Sequence, residues 1–124
     1  MADEGLQKLE SLGESASLNV GRLQASIRLP REELFGLTSQ IRRCSASIGA
    51  NIAEGCGKHG NNEFQRYLQI AAGSASKLDY HFLLGRDLEF FEDVDYRGLS
   101  GELLQIRKML TSLLQKVQSE RFAG

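Results

Sequence analysis

Three polar side chains in one predicted helix have a spacing that could form a binding face. Ser47, Asn51 and Glu54 follow at steps of four and three residues and share one side of a helix, with Arg43 one turn earlier. Such a stripe can bind a ligand, or it can be a buried network that fixes helix register or a subunit contact. An unpaired buried polar group costs about 1–3 kcal/mol, and we favour the structural interpretation. Glu54 has no second carboxylate, metal ligand or nucleophile in this motif, so it is a poor candidate for acid–base catalysis.

Metal or thiol chemistry would depend on two histidines, His59 and His81, and two cysteines, Cys44 and Cys56. A zinc site needs convergent ligands at short spacing, and Cys56 with His59 is one such pair without a second. We therefore expect no metal and no other cofactor. If the two cysteines share one helix they lie about 18 Å apart, beyond the reach of a disulfide. Reduced thiols are typical of a cytoplasmic protein.

A group of basic side chains flanks a glycine-containing turn: Arg42, Arg43, Lys58, His59 and Arg66. Repeated around an oligomer, these residues could form a positive rim that holds the phosphates of RNA or DNA. On a single chain they would be ordinary solvated surface. The glycines of this turn follow a predicted helix and not a strand, so the pattern is not that of a nucleotide phosphate cradle.

A run of small residues in the third segment could form a ligand groove or allow two helix backbones to approach closely. The run includes Ala71, Ala72, Gly73 and Ala75. Glycine within a helix costs about 0.5–1 kcal/mol relative to alanine, and close helix packing would offset that cost. We favour close packing, within the bundle or between subunits.

Hydrophobic periodicity predicts four helices, over about 5–28, 31–57, 62–91 and 95–122. Each has an apolar stripe at steps of three and four residues, and no strand-like alternation occurs. Four amphipathic helices with short connections predict one domain, 1–124, folded as an antiparallel up-down four-helix bundle. The stripes are Leu6, Leu9, Gly13, Ala16, Val20, Leu23 and Ile27; Leu34, Leu37, Ile41, Cys44, Ile48 and Ile52; Phe64, Leu68, Ala71, Ala75, Leu78, Phe82 and Gly85; and Leu99, Leu103, Ile106, Leu110, Leu113 and Val117.

Composition argues against a generally basic nucleic-acid binder, because 124 residues carry a net charge of −1. The charge is uneven, however: residues 21–86 carry nine Lys/Arg against five Asp/Glu, and both ends are acidic. No apolar run approaches the ~20 residues that span a membrane. The acidic N-terminus has neither a signal-peptide nor a transit-peptide pattern.

The central stretch also resembles a known family. It reads F-G-L-T-S-Q-I-R-R, then N-I-A-E-G, then a basic turn, then E-F-x-R-Y-L-x-I-A-x-G-S. These motifs, in this order, resemble the four-helix-bundle family of 23S ribosomal RNA intervening-sequence proteins. The chain departs from the family pattern in lacking a proline near Gly49 and a Trp in the first segment.

The resemblance implies a non-enzymatic assembly protein that forms a ring-shaped homopentamer. One related branch, the accessory proteins of diversity-generating retroelements, binds nucleic acid and a reverse transcriptase. The residues themselves favour an oligomer, because Tyr67, Ile70, Leu83 and Leu84 lie off the main stripe of the third segment and need covering. We interpret the chain as a non-catalytic, cytoplasmic assembly or scaffold protein with no evident small-molecule substrate. The alternative is a nucleic-acid-binding accessory factor, and an enzyme using Glu54 or His59 is the least favoured class.

Overall fold

The computed structural model describes residues 2–28, 36–57 and 60–123. Within these ranges the chain is helical apart from short connections, and it contains no strand. The predicted all-α class with four helices is confirmed. The helices are α1 (Ala2–Ser26), α2 (Leu37–Cys56), α3 (Asn61–Asp87) and α4 (Asp93–Ala123). The second helix was predicted to begin near residue 31, but residues 31–35 lie outside the described residues. The basic pair Lys58 and His59 also lies outside them.

The four helices form an antiparallel up-down bundle. Each helix packs on its neighbours in sequence and α1 packs on α4, while the described parts of the diagonal pairs do not approach one another. Contacts between α2 and α3 run in opposite directions along the chain: Ser47 meets Ser74, and Gly55, later in α2, abuts Tyr67, earlier in α3. α1 and α3 therefore occupy opposite corners of the bundle.

The core is built from the predicted stripes, whose steps of three and four residues place one face of each helix inside. Fully burying one Leu, Ile or Phe side chain contributes about 1.5–3 kcal/mol. The largest buried side chains come from all four helices. They are Leu23; Ile41, Ile48 and Ile52; Phe64, Leu68, Leu78 and Phe82; and Leu103, Ile106, Leu110 and Leu113.

The end of α3 differs from the prediction. The helix ends at Asp87 and not at Phe91, because Glu89 has a φ of 63°, in the left-handed region that terminates helices. The backbone N–H of Phe90 donates to the carbonyl oxygen of Gly85 at 2.8 Å and closes the turn. The sequence lacks the glycine that usually marks such a helix end. The prediction from hydrophobic periodicity therefore made this helix one turn too long.

This turn folds Phe91 back onto the core. Its ring packs edge-on against the ring of Phe82, with 6.0 Å between centroids. Gly85 makes room for it, because a Cβ at that position would lie 2.6 Å from the Phe91 ring. A residue predicted to end a helix is thus a core residue of the connection to α4.

Candidate functional site

Two residues of the predicted polar stripe, Ser47 and Asn51, form hydrogen bonds within the bundle, one of them across the α2–α3 seam. The Ser47 hydroxyl is 2.8 Å from the Ser74 hydroxyl on α3. The Asn51 side-chain amide donates to the Ser47 carbonyl oxygen at 2.8 Å and to the Ser47 hydroxyl at 3.1 Å. Ser47, Asn51 and Ser74 are half-buried, whereas Glu54 and Arg43 are exposed. The structure therefore joins Ser47 and Asn51 into one network and adds Ser74, which sequence spacing alone could not pair with α2.

Titratable groups further along the same seam are held in their neutral forms. Cys44 is buried, and burial raises the pKa of its thiol, although Lys77 partly opposes that shift. Burial also lowers the pKa of His81, and the charge of Lys77 lowers it further. The His81 Nδ1 atom is buried and has no hydrogen-bond partner among the described residues, and the Tyr80 ring packs edge-on against the imidazole at 5.5 Å. His81 is thus a half-buried seam residue, not an exposed base.

The second cysteine is also poorly suited to thiol chemistry. Cys56 is half-buried beside α1, and burial raises its pKa, with Glu10 and Glu14 adding to the effect. Both thiols are unpaired. A neutral thiol is a weak nucleophile and a weak metal ligand. The described residues contain no group of three or more His, Cys, Asp or Glu side chains that could hold a metal ion.

The basic residues are spread along the bundle. Arg42 and Arg43 are exposed on α2, and neither makes an ion pair with another described residue. Arg66 is exposed on α3, where its guanidinium lies 4.0 Å from Glu63 and 5.8 Å from the centre of the Tyr67 ring. Arg66 lies beside the end of α2, because the next residue, Tyr67, abuts Gly55. Gly55 is twelve residues after Arg43 in α2, about 18 Å along the helix axis. These three arginines therefore do not converge on one site, and the other two predicted members lie outside the described residues.

The run of small residues divides between the two sides of α3. Ala71 and Ala75 are fully buried, and Ala72 is half-buried. Gly73 is exposed, and a Cβ added there would meet no heavy atom within 4 Å. Gly73 therefore does not pack against another described helix of the chain, and the predicted alternative of close packing between subunits remains for this residue.

The outward side of α3 exposes apolar side chains that no other helix covers within the described residues. Ile70 is 41% exposed, Tyr80 61% and Leu83 39%. We call this surface the α3 outer face and define it by Ile70, Gly73, Lys77, Tyr80 and Leu83. Of the apolar residues predicted to need covering, Ile70 and Leu83 are exposed, while the remaining two are half-buried against the bundle.

None of the helices, as far as they are described, is long and apolar enough to cross a membrane.

Comparisons with known proteins agree with this architecture. The family model for 23S rRNA-intervening sequence protein matches residues 7–112. A crystal structure from Bacteroides thetaiotaomicron VPI-5482, described as a protein of unknown function from the S23 ribosomal protein family, superimposes with a TM-score of 0.68. At 24% identity it covers 86% of this chain and 97% of its own, and it shows the shared fold. No curated protein matches the chain. The family model covers most of the sequence and both helices of the α2–α3 seam, and the chain therefore belongs to the family of 23S rRNA-intervening sequence proteins.

Proposed function

We propose that this bundle is a non-catalytic assembly protein that associates with copies of itself. The observation that carries the proposal is the α3 outer face, where Ile70, Tyr80 and Leu83 remain exposed after the chain has folded. Burial of apolar area is the main driving force of association. A small domain gains from covering such a face with a second subunit.

The polar groups of the seam support a structural role. Hydrogen bonds join Ser47, Asn51 and Ser74 across or along the seam. These side chains therefore use hydrogen bonds to stabilise the packing of the helices. Cys44 is held protonated by burial. These groups stabilise a scaffold, and none of them is arranged as an activated nucleophile or base.

The assembly that we propose is a ring of five subunits, the stoichiometry implied by the family resemblance. We also place the protein in the cytoplasm, supported by its two unpaired cysteines, Cys44 and Cys56.

Light scattering after size-exclusion chromatography tests this function. Wild-type protein at micromolar concentration should have several times the 13.7 kDa mass of one chain. A Tyr80→Glu/Leu83→Glu variant should be smaller, because two charges would be buried in the contact. The matched control is Gln115→Glu, an exposed site of α4, which should keep the wild-type mass. A monomeric wild type would refute the proposal.

A second candidate function is binding of RNA or DNA, favoured by one observation. Arg42 and Arg43 are adjacent, exposed and without an ion-pair partner among the described residues. Repeated in an assembly, they would present several weak phosphate contacts, and the affinity would fall steeply with salt.

Fluorescence titration of labelled RNA and DNA at low and physiological salt tests this second function. Arg42→Glu/Arg43→Glu should abolish binding at low salt. Arg97→Glu/Lys116→Glu, which makes the same charge change at exposed positions of α4, should retain it. Equal loss in both variants would show that only net charge matters, and an absence of wild-type binding at low salt would remove this candidate.

A further inference from the structure

A small cavity lies between α1 and α4, two helices that pack against each other along one side of the bundle. It has a volume of about 230 Å³, and its surface is mainly apolar. Its lining residues are Leu12 of α1 and Gln105, Lys108, Met109, Ser112 and Leu113 of α4. A mainly apolar cavity with a few polar groups is the usual form of a small-molecule binding site.

The apolar floor of this cavity consists of Leu12, Met109 and Leu113. Leu113 is buried, and the other two are partly buried against the core. The Asn19 side-chain amide donates to the Met109 sulfur at 3.0 Å. A methionine side chain has three rotatable bonds, and this hydrogen bond restricts them. The cavity therefore has a defined wall before any ligand enters.

The donor rim of the cavity consists of Gln105, Lys108 and Ser112. They follow at steps of three and four residues and therefore lie along one edge of α4. All three are exposed, and each side chain carries a hydrogen-bond donor. None of them has a hydrogen-bond or ion-pair partner among the described residues. The three donors are thus available to bind the oxygen atoms of an anion.

The charge at the donor rim is positive. Within the part of the chain that the structure describes, Lys108 is the only charged residue that lines this cavity. Glu102, about one turn before Gln105, lines a neighbouring cavity together with Arg22, which opposes its charge there. A single lysine matches a group with one negative charge, such as a carboxylate. A phosphate monoester carries about −1.5 to −2 at pH 7 and would leave charge unmatched.

The size of the cavity limits the apolar part of the ligand. An apolar cavity of about 150 Å³ binds benzene, which has six carbon atoms. In proportion, a cavity of about 230 Å³ holds about nine carbon atoms. A linear chain of about eight carbons therefore fits between α1 and α4.

We propose that this cavity binds a medium-chain fatty acid, with the alkyl chain on the apolar floor and the carboxylate at the donor rim. The aliphatic stem of a lysine can lie against apolar surface while its ammonium stays in water, which suits Lys108 to the boundary between chain and head group. No residue of the α3 outer face lines the cavity. The inference is therefore independent of the proposed self-association.

Titration with sodium octanoate, followed by NMR of protein labelled with ¹³C at the methionine methyl groups, tests the site. The chain has two methionines, and a Met109→Leu variant assigns their signals. The Met109 signal should shift and saturate. A ligand of about ten non-hydrogen atoms at the ordinary efficiency of small ligands has a Kd of about a millimolar.

Ligands that differ in chain length or head group separate the two parts of the site. From hexanoate to octanoate, each further methylene should tighten binding about three- to four-fold, the effect of burying one CH₂ group. Octanol, which has the same chain without the charge, should bind more weakly than octanoate.

Two pairs of variants locate the ligand. Ser112→Phe should abolish the shift by filling the cavity, whereas Gln115→Phe, at an exposed position of α4 outside it, should not. Lys108→Gln should weaken octanoate about two- to five-fold, as expected for an exposed charge pair, and should leave octanol unchanged. Arg97→Gln removes the same charge elsewhere on α4 and should bind as the wild type does. Circular dichroism verifies that all variants fold.

Three results would overturn the proposal. The first is an unshifted Met109 signal at ten times the expected Kd. The second is octanol binding as tightly as octanoate, which would remove recognition of the carboxylate. The third is wild-type affinity in Ser112→Phe, which would place the ligand elsewhere.

Discussion

The hydroxyl groups of Ser47 and Ser74 lie 2.8 Å apart and tie α2 to α3 at a half-buried point of their seam. Asn51 donates to the same Ser47 hydroxyl, so this oxygen is shared by two partners. The pair fixes the register of α2 against α3.

Removing this bond should destabilise the fold modestly. Ser74→Ala should lower the free energy of unfolding by about 0.5–1.5 kcal/mol, the net value of a typical hydrogen bond. In urea unfolding, Ser47→Ala and Ser74→Ala should be non-additive in a double-mutant cycle, because both break the same contact. Ser112→Ala, at an exposed position, should change stability by less than about 0.5 kcal/mol. Strict additivity of the two seam variants would contradict the pairing.

Two glycines in helices should respond to alanine with opposite signs. A Cβ at Gly85 would lie 2.6 Å from the Phe91 ring, so Gly85→Ala should force the ring outward and lower the melting temperature. Gly101 has no heavy atom within 4 Å of a built Cβ, and Gly101→Ala should raise stability by about 0.5–1 kcal/mol through helix propensity. Thermal melts of both variants check this, and a stabilising Gly85→Ala would show that Phe91 does not pack there.

Overpacking α3 should separate the helices. Ala75 is fully buried, and Ala75→Leu would insert three extra carbon atoms, which typically costs about 1–3 kcal/mol. Urea unfolding should show a lower midpoint with an unchanged slope. Ala53→Leu, at an exposed position of α2, is the matched control and should be near neutral. An equally stable Ala75→Leu variant would place Ala75 outside the core.

His81 should make the fold less stable in mild acid. Its pKa is lowered in the folded protein by burial and by Lys77, so between that pKa and the unfolded value near 6.5 the unfolded chain binds more protons. The free energy of unfolding should therefore fall as the pH drops through this window. Above the window, His81 should cause no loss of stability. Cys44 stays neutral in this window, because burial raises the pKa of its thiol.

His81→Gln provides the test of that pH dependence. Chemical unfolding measured from pH 7.5 to pH 5 should show a shallower loss of stability in the variant than in the wild type. Identical slopes would assign the pH dependence to other groups.

The sequence by itself determined the class of the fold and nearly all of its core. A helix repeats every 3.6 residues, so the spacing of Ile41, Ile48 and Ile52, or of Phe64, Leu68 and Phe82, decides which side faces inward without knowledge of the partner helix. The side of α3 that faces away from the core follows from the same rule. Ile70 and Leu83 were predicted in this way to lie off the core stripe.

The tertiary structure decided the relationships between helices, because these depend on register and on the turns. It paired Ser47 with Ser74, and it separated Arg66 from Arg43 along the axis of the bundle, although both residues flank the same turn in the sequence. The left-handed φ of Glu89 returned Phe91 to the core, which helical periodicity cannot foresee.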